Sequence, residues 1–258
     1  MEVHPTAIVS PKAELGEGVT VGPYSIIGDH VTMGSGCQVG SHVVIQGRTQ
    51  IGKECRFFPY CSIGLPPQDL KYQGEDTVLV VGDHNVFREY VTVNRGTVQG
   101  GGRTVIGHHN FFMVYGHVAH DCVLGNHIIM ANAATLAGHV IIEDYATIGA
   151  FSGVHQFCRV GVHGFVGGYS VITKDVLPYS KTVSARDARN YGVNTIGLER
   201  RGFSAESIRS IRTAFRVVLQ SKLNTAQALN VLKEKFADQP SIQVLIDFIE
   251  KSQRGIIK

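Results

Sequence analysis

The sequence predicts a mainly β protein, in which a β-solenoid of six-residue repeats precedes a C-terminal α-helical domain. Large apolar residues recur every six positions as far as Ile172, and this period suits neither an amphipathic helix nor a plain alternating strand. Near Pro178 the pattern changes to the three- and four-residue spacing of amphipathic helices. We therefore expect the solenoid over residues 1–190 and the helical domain over residues 191–258.

The six-residue period starts near the N-terminus and slips once, after Val93. Before the slip it comprises Leu15, Val21, Ile27, Met33, Val39, Ile45, Ile51, Phe57, Ile63, Val81, Phe87 and Val93. It resumes at Ile106 and continues to Ile172. If three repeats form one triangular coil, each of these side chains points inward and stacks on its equivalent one coil later. The predicted core is one continuous column, whose burial contributes roughly 25 cal/mol per Å² of apolar surface.

Two segments interrupt this period, residues 65–77 and residues 95–103. Insertions in a solenoid often carry its function, because the coils fix the base of the loop while its tip projects. The second insertion contains three consecutive glycines, Gly100 to Gly102, but it lacks the strand–loop–helix context and the Lys-Ser/Thr pair of a phosphate-binding loop. We predict that it is a mobile loop.

The five cysteines share one position in the repeat. Each follows an inward-pointing residue by four positions, where other repeats have Val, Ser or Ala. This pattern predicts a second inward position for small side chains, and it disfavours a disulfide framework or a cysteine zinc site. Cys122 lies close to His120 in the sequence, but we expect it to be buried rather than nucleophilic.

The composition limits the partners and the compartment. A net charge of +3 predicts local recognition of phosphate or of an acidic partner, and it disfavours nucleic acid as a partner. The N-terminus lacks a basic start followed by an apolar core, and eighteen apolar residues nowhere run together. We expect a cytoplasmic protein without a membrane span.

Three amphipathic helices are expected near the C-terminus. Ser204 and Thr225 are the predicted N-caps of the first two, and the third is expected to start after Gln239 and Pro240. The apolar faces comprise Ile208, Ile211, Phe215, Val218 and Leu219, then Ala228, Leu229, Leu232 and Phe236, and finally Val244, Leu245, Phe248 and Ile249. These helices are expected to cover the open end of the solenoid.

The candidate chemistry lies in the histidine-rich stretch 116–157. His120, Gly138 and Gln156 are spaced by one coil each, so we predict that they form a column along the solenoid. A histidine is suited to act as a general base near neutral pH. Six other histidines lie three positions after an inward-pointing residue, where solvated corners are expected: His30, His42, His84, His109, His127 and His163.

Seven motifs occur in order along the chain: QDLKYQGE (68–75), RGTVQGGG (95–102), HVAHDC (117–122), LAGHV (136–140), VHQFC (154–158), VGG (166–168) and RRGFS (200–204). Together they resemble the UDP-N-acetylglucosamine O-acyltransferases of lipid A biosynthesis over essentially the whole chain. The resemblance implies a left-handed parallel β-helix, which is an exception to the right-handed crossover rule. It also implies a homotrimer with its sites between subunits. The implied reaction transfers an R-3-hydroxyacyl chain from an acyl carrier protein to the 3-position of UDP-N-acetylglucosamine, without a cofactor.

The resemblance also assigns roles to individual residues. His120 corresponds to the general base, and the backbone N–H of Gly138 to the oxyanion donor. Asp121 would orient His120, although neighbours on a strand point to opposite sides and the pair would need a kink. Substrate contacts are implied for Gln68, Asp69, Lys71, His117, His139, His155, Gln156, Asn194, Arg200 and Arg201, and the floor of the acyl groove for Gly168. No nucleophile elbow is present, so we expect direct transfer without an acyl-enzyme, and we expect no metal site.

Three places depart from the family pattern. Asn94 stands where histidine is expected, Ala185 and Arg186 stand where Gly-Asn is expected, and Ile196 stands where an acidic residue is expected. These departures leave open a 2,3-diamino sugar acceptor that receives an N-linked chain, or another hexapeptide acyltransferase that uses acetyl-CoA. The histidines also leave open a zinc-dependent carbonic anhydrase, which needs three of them to converge on one ion. A structural or adhesive solenoid is disfavoured by the two insertions.

Overall fold

A computed structural model describes residues 2–183 and 189–257 of the chain. Its strands are short. The first fourteen, in chain order, are β1 (Glu2–Val3), β2 (Ile8–Val9), β3 (Glu14–Leu15), β4 (Thr20–Val21), β5 (Ile26–Ile27), β6 (Val31–Met33), β7 (Gln38–Val39), β8 (Val44–Ile45), β9 (Arg48–Ile51), β10 (Arg56–Phe57), β11 (Ser62–Leu65), β12 (Val78–Val81), β13 (Val86–Phe87) and β14 (Thr92–Asn94). The others are β15 (Arg103–Ile106), β16 (Phe111–Phe112), β17 (His117–Val118), β18 (Val123–Leu124), β19 (Ile129–Met130), β20 (Thr135–Leu136), β21 (Ile141–Ile142), β22 (Thr147–Ile148), β23 (Gly153–Val154), β24 (Arg159–Val160), β25 (Phe165–Val166), β26 (Val171–Ile172), β27 (Ser180–Val183) and β28 (Arg189–Val193).

Successive strands belong to three different parallel sheets, so three strands make one turn of a coil. The first sheet has the order β1-β4-β7-β10-β13-β16-β19-β22-β25-β27-β28, the second β2-β5-β8-β11-β14-β17-β20-β23-β26, and the third β24-β21-β18-β15-β12-β9-β6-β3. Only the pair β27 and β28 is antiparallel among these described strands. The chain therefore forms a left-handed parallel β-helix, which confirms the fold class predicted from the sequence.

The inward-pointing residues form the predicted column. In the second sheet, strand pairing stacks Ile63 on Ile45 and Leu136 on Val118, and all four side chains are buried. All five cysteines are also buried, as the repeat predicts. Burial raises the pKa of the Cys122 thiol to about 12, so this residue is a small core side chain and not a nucleophile.

Three edges run along the solenoid: the first edge follows the strands of the first sheet, the second edge those of the second sheet, and the third edge those of the third sheet. The third residue after each inward-pointing residue commonly has a positive φ, for example 55° at His42 and 60° at Tyr145. Few residues other than glycine adopt this conformation. Ring stacking between adjacent coils offsets its cost, and on the third edge His127 lies 4.7 Å from Tyr145, centroid to centroid.

The expectation of a solvated corner is wrong for His163. Its side chain stacks on Tyr145, with centroids 4.8 Å apart, and meets Phe203 edge-on at 5.0 Å. Only 8% of the residue is exposed, because the helical region covers this end of the third edge. Burial lowers the pKa of His163 to about 4, and the nearby charge of Arg201 adds to this effect.

Four helices follow the solenoid: α1 (Thr195–Arg200), α2 (Ala205–Gln220), α3 (Thr225–Lys235) and α4 (Pro240–Glu250). The sequence did not predict α1. Ser204 caps α2 as predicted. Asn224, not Thr225, caps α3, because its side chain accepts a hydrogen bond from the Gln227 N–H while the Gln227 side chain accepts one from the Asn224 N–H.

The helices pack on the C-terminal end of the solenoid. Leu177 and Tyr179 of the last coil share an apolar cluster with Leu198, Ile211 and Leu245. Within the residues described, none of the helices is long and apolar enough to cross a bilayer. Val244, which the sequence placed on the apolar face of α4, is 38% exposed instead.

The tail after α4 returns to the solenoid. Asp175 donates its N–H to the Gly255 carbonyl, and Ile257 donates its N–H to the Asp175 carbonyl. Ile257 is buried in the solenoid core. The tail thus closes the C-terminal end of the column.

Candidate active site

The candidate catalytic residues lie on the second edge. Strands β17, β20 and β23 are neighbours in the second sheet, and each leads into this edge. His120, Gly138 and Gln156 occupy the same position after these strands, so they form the column that their spacing predicts. The first two are protected from solvent, whereas Gln156 is exposed.

The pairing of His120 with Asp121 depends on the shape of this edge. Asp121 has a φ of 60°, so the chain turns sharply between the two residues. Oδ2 of Asp121 lies 2.7 Å from Nδ1 of His120. The Asp121 side chain is fully buried, while that of His120 is 14% exposed. The turn supplies the kink that the sequence required for this pair.

The second insertion holds the carboxylate of Asp121. Thr97 donates its backbone N–H to Oδ1 at 2.7 Å and its hydroxyl to Oδ2 at 2.6 Å. The Asp121 N–H is donated to Oγ1 of Thr104 at 2.8 Å. The second insertion contains a short 3-10 turn, Val98–Gly100, whose N-cap is Thr97. Sequence reasoning missed Thr97, and the only local signal is a capping-type residue before this turn.

Gly138 makes room for the imidazole of His120. A β-carbon at this position would lie 2.6 Å from Cε1 and 2.8 Å from Nε2 of the ring. The backbone N–H at this position of the repeat is not part of the ladder, since Pro23 and Pro59 occupy the same position in other coils. On the third edge the equivalent N–H, that of Asn126, donates to Oδ1 of Asp144 at 2.7 Å. The N–H of Gly138 has the same position in its repeat as this N–H of Asn126.

Two further histidines flank the pair. Nε2 of His139 lies 3.7 Å from Oδ2 of Asp121, and its ring stacks on Phe157 at 4.6 Å. Burial lowers the pKa of His139, although the Asp121 carboxylate opposes this effect. Nδ1 of His117 lies 2.7 Å from Oγ1 of Thr92, and burial lowers its pKa as well.

His120, Asp121 and His139 have potential ligand atoms within 4.8 Å of one another. Their arrangement suits hydrogen bonding better than metal binding. Nδ1 of His120 and Oδ2 of Asp121 are 2.7 Å apart, which leaves no room for an ion between them. This group contains two histidines and one carboxylate, not the three histidines of the carbonic anhydrase alternative.

The first insertion reaches the same edge. The Asp69 carboxylate is close enough to His139 to act on the pKa of that ring. Oδ1 of Asp69 accepts the N–H of Lys71 at 3.0 Å, so Asp69 shapes the loop tip. Gln68 and Lys71 are exposed and point away from the core.

The two insertions are tied together at their bases. Arg95 donates hydrogen bonds to the Tyr72 hydroxyl at 2.6 Å and to the Gly64 carbonyl at 3.0 Å. Asn94 donates its amide to the Pro66 carbonyl at 2.9 Å and is 5% exposed. Asn94, which departs from the family pattern, therefore supports the start of the first insertion through its bond to Pro66.

Other predicted contact residues lie farther along the solenoid. His155 and Gln156 are exposed one coil beyond Gly138. Gly168 is exposed on the first edge. The second sheet separates Gly168 from His120, so a groove that joins them has to cross the outer face of this sheet.

Asn194, Arg200 and Arg201 line a separate groove of about 620 Å³ between α1 and the first sheet. Asn194 caps α1 and donates its amide to the His163 carbonyl at 3.0 Å. Arg201 lies over the Tyr145 ring, 4.6 Å from its centroid. Ile196 lines the same groove, whereas Ala185 and Arg186 lie outside the described residues.

Apart from Gly168 on the first edge, the predicted contact residues thus form two groups in one chain. The groove beside α1 is bordered by the third edge, which carries Tyr145 and His163, whereas His120 lies on the second edge. The third sheet lies between these two edges.

Comparison with known proteins gives the family. A family model described as UDP N-acetylglucosamine O-acyltransferase, domain 2, matches residues 175–257, and a bacterial transferase hexapeptide model matches residues 12–47. A relative from Halorhodospira halophila, named acyl-[acyl-carrier-protein]–UDP-N-acetylglucosamine O-acyltransferase, is 50% identical over 99% of both chains. The chain belongs to the UDP-N-acetylglucosamine O-acyltransferase family. A family member of the same name from Thermodesulfovibrio yellowstonii is 48% identical over 100% of this chain and 99% of its own.

Solved structures of the family have the same fold. The UDP-N-acetylglucosamine O-acyltransferase (LpxA) of Moraxella catarrhalis superposes with a TM-score of 0.96 at 41% identity, covering 100% of both chains. LpxA of Acinetobacter baumannii superposes with a TM-score of 0.97 at 42% identity, covering 99% of both chains. These superpositions cover the solenoid, both insertions and the helical region of this chain.

Proposed function

We propose that this protein transfers an R-3-hydroxyacyl chain from an acyl carrier protein to the 3-hydroxyl of UDP-N-acetylglucosamine, the first step of lipid A biosynthesis, in the cytoplasm. The observation that carries this proposal is the geometry of His120. Its Nδ1 faces the buried carboxylate of Asp121 at 2.7 Å, and its Nε2 lies over Gly138. Within the described residues, Nε2 has no hydrogen-bond partner, so it is free to meet a substrate hydroxyl.

The reaction proceeds by direct transfer. Nε2 of His120 accepts the proton of the sugar hydroxyl as its oxygen attacks the thioester carbonyl of the donor. The N–H of Gly138 donates to the oxyanion of the tetrahedral intermediate. The intermediate then collapses, the carbon–sulfur bond breaks, and the protonated His120 returns its proton to the leaving thiolate. No acyl-enzyme forms in this sequence.

Asp121 sets the tautomer of the base. Its carboxylate accepts the Nδ1–H of His120, which leaves the lone pair on Nε2. We assign this tautomer from the hydrogen-bond network. The carboxylate also balances the positive charge that develops on the ring during the attack.

The two groups of contact residues bind different parts of the sugar nucleotide. Asp69, Lys71 and Gln68 of the first insertion surround the sugar together with His117 and His139. His155 and Gln156 contact the nucleotide, Asn194, Arg200 and Arg201 bind its uridine and diphosphate end, and Gly168 borders the acyl chain. Arginine suits phosphate oxygens because its planar group donates in pairs. In this proposal the solenoid, residues 1–190 with insertions 65–77 and 95–103, carries the chemistry, and residues 191–258 bind the nucleotide end.

We propose a homotrimer, and the separation of these groups supports it. His120 and Arg201 lie on different edges of one chain, so one substrate molecule reaches both only if they come from neighbouring subunits. Three such interfaces form in a closed ring of three chains. Each interface then holds one complete site.

Mass spectrometry of the products tests the donor and the acceptor together. Purified protein is incubated with a mixture of 3-hydroxyacyl carrier proteins, acetyl-CoA, UDP-N-acetylglucosamine and a UDP-2,3-diamino sugar. We expect an ester of UDP-N-acetylglucosamine that carries a 3-hydroxyacyl chain. An N-linked product from the diamino sugar, or an acetylated product, would replace this function by one of the alternatives.

A further inference from the structure

The carboxylate of Asp121 is held mainly by one residue of the second insertion. Its Oδ1 accepts the N–H of Thr97 at 2.7 Å, and its Oδ2 accepts the Thr97 hydroxyl at 2.6 Å. The Asp121 side chain is fully buried, and Thr97 is 1% exposed. Both oxygens of the group that faces His120 are therefore bound by Thr97, away from solvent competition.

The hydroxyl of Thr97 has a fixed direction. Its oxygen accepts the N–H of Gly100 at 3.1 Å, so its single hydrogen is directed to Asp121. The backbone around it is closed by a second bond, from the Gly102 N–H to the Thr97 carbonyl at 2.8 Å. The 3-10 turn thus orients the Thr97 hydroxyl through its own hydrogen bonds.

Gly100 leaves room for the carboxylate of Asp121. A β-carbon at this position would collide with the carboxylate of Asp121. The φ of Gly100 is not in the left-handed region, unlike those of Gly101 and Gly102. Glycine is needed at residue 100 because of space, and the space is filled by the carboxylate itself.

We propose that Thr97 is a positioning residue of the acyl transfer, which acts on His120 through Asp121. Thr97 fixes the rotation of the carboxylate so that Oδ2 meets Nδ1 of His120, and it thereby keeps the lone pair of the base on Nε2. The second insertion is then part of the catalytic apparatus and not a phosphate-binding loop. This inference rests on the proposed function, because it needs His120 to be the base.

Kinetics of Thr97→Val, which keeps the shape and the backbone N–H, test the proposal. We expect kcat to fall about 10- to 100-fold, as for the loss of one hydrogen bond to a charged group, with KM unchanged. Thr97→Ser retains the hydroxyl and restores most of kcat. The control is Thr49→Val, because Thr49 is equally buried and its hydroxyl donates to the Gln46 carbonyl, outside the site. Thr49→Val keeps the kcat of the wild type.

A double-mutant cycle separates positioning from a structural role. If Thr97 acts through Asp121, the variant Thr97→Val/Asp121→Asn is no slower than Asp121→Asn alone. The proposal would be overturned if the two substitutions reduced kcat independently, so that their factors multiplied in the double variant, or if Thr97→Val kept the wild-type kcat.

If Thr97→Val does not fold, Gly100→Ala takes its place, since its methyl group displaces the carboxylate. A wild-type kcat in Gly100→Ala would then overturn the proposal. An inactive wild type or an active His120→Ala would instead refute the proposed function.

Discussion

His120 and Asp121 are adjacent in the chain, yet their side chains meet at 2.7 Å on the same side of the backbone. On a regular strand they would point to opposite faces. The positive φ of Asp121, 60°, turns its side chain under the imidazole and buries it. The left-handed conformation at this corner therefore brings the imidazole and the carboxylate of two adjacent residues into contact.

Replacement of the base is the first prediction. We expect His120→Ala to lose about three orders of magnitude in kcat/KM, the range for a positioned general base. His120 lies outside the packed column, so the melting temperature and the sedimentation coefficient should match those of the wild type. Unchanged turnover, or a variant that unfolds, would remove His120 from the proposed role.

The second prediction concerns the tautomer. Asp121→Asn keeps the size of the side chain, but its amide can offer an N–H to Nδ1 of His120 and so move the ring proton to Nε2. We expect kcat to fall roughly 10²- to 10⁴-fold. Asp83→Asn is the matched control, because this carboxylate lies on the third edge, where its Oδ1 accepts the Lys53 N–H and its Oδ2 lies 3.5 Å from Nδ1 of His108. Equal kinetics of the two variants would contradict the role of Asp121.

The third prediction is a composite site. His120→Ala and Arg201→Ala are each expected to be inactive, and a mixture of the two chains is expected to regain activity, measured after co-expression and purification through two tags. Purification through both tags keeps only mixed rings, and in a mixed ring of three chains about a third of the interfaces have both residues intact. A mixture of His120→Ala with Asp121→Asn is the control and should regain nothing. A site within one chain would also give no recovery in the first mixture.

Part of the fold and of the candidate site follows from the sequence, because a residue's place in the six-residue repeat determines whether it lies in the core or on an edge. The spacing of His120, Gly138 and Gln156 places them on one edge, and the spacing of the cysteines places them in the core. These are consequences of period alone. Counting the six-residue repeats also predicts that Gly168 and His120 lie on different edges.

The six-residue period does not predict other contacts of the structure. Thr97 reaches Asp121 from an insertion, and its partner lies 24 residues away. His163 occupies a corner like those of the exposed histidines, but helices that pack later in the chain bury it. At α3, two adjacent residues both suit an N-cap, and the capping box with Gln227 selects Asn224. Such outcomes depend on tertiary packing, which a local pattern does not contain.

The fourth prediction concerns the stability at acidic pH. Burial holds the pKa of His163 at about 4, below the 6.5 of an unfolded chain, so the folded state disfavours the charged ring. Stability from this group is complete above pH 6.5 and falls as the pH decreases toward 4. The loss amounts to about 3 kcal/mol, at 1.36 kcal/mol per pKa unit.

Urea unfolding at a series of pH values measures this effect. His163→Phe keeps an aromatic ring in the stack with Tyr145 and cannot titrate. The variant should lose less stability than the wild type between pH 6.5 and 4. If the free energy of unfolding changed with pH equally in the two proteins, His163 would not be the titrating group.

The last prediction concerns the length of the acyl chain. Gly168 is exposed on the first edge, across the second sheet from His120, so we expect an acyl chain that starts at His120 and crosses this sheet to end beside it. A β-carbon at residue 168 would meet the Ala150 carbonyl oxygen at 3.2 Å, a close contact that a small shift relieves, and its backbone φ does not require glycine. Gly168→Met should therefore fold and place its side chain in the groove. Four added heavy atoms displace about three or four methylenes, each worth roughly 0.8 kcal/mol of burial.

We expect a long 3-hydroxyacyl donor to be preferred by the wild type and a shorter one by Gly168→Met. The measurement is kcat/KM across a series of acyl carrier proteins with chains of increasing length. The change in preference should reach orders of magnitude, since each 1.4 kcal/mol corresponds to about tenfold. Activity with the shortest donors should be retained in the variant, because His120 and Gly138 are untouched. An unchanged optimum would show that Gly168 does not border the acyl chain.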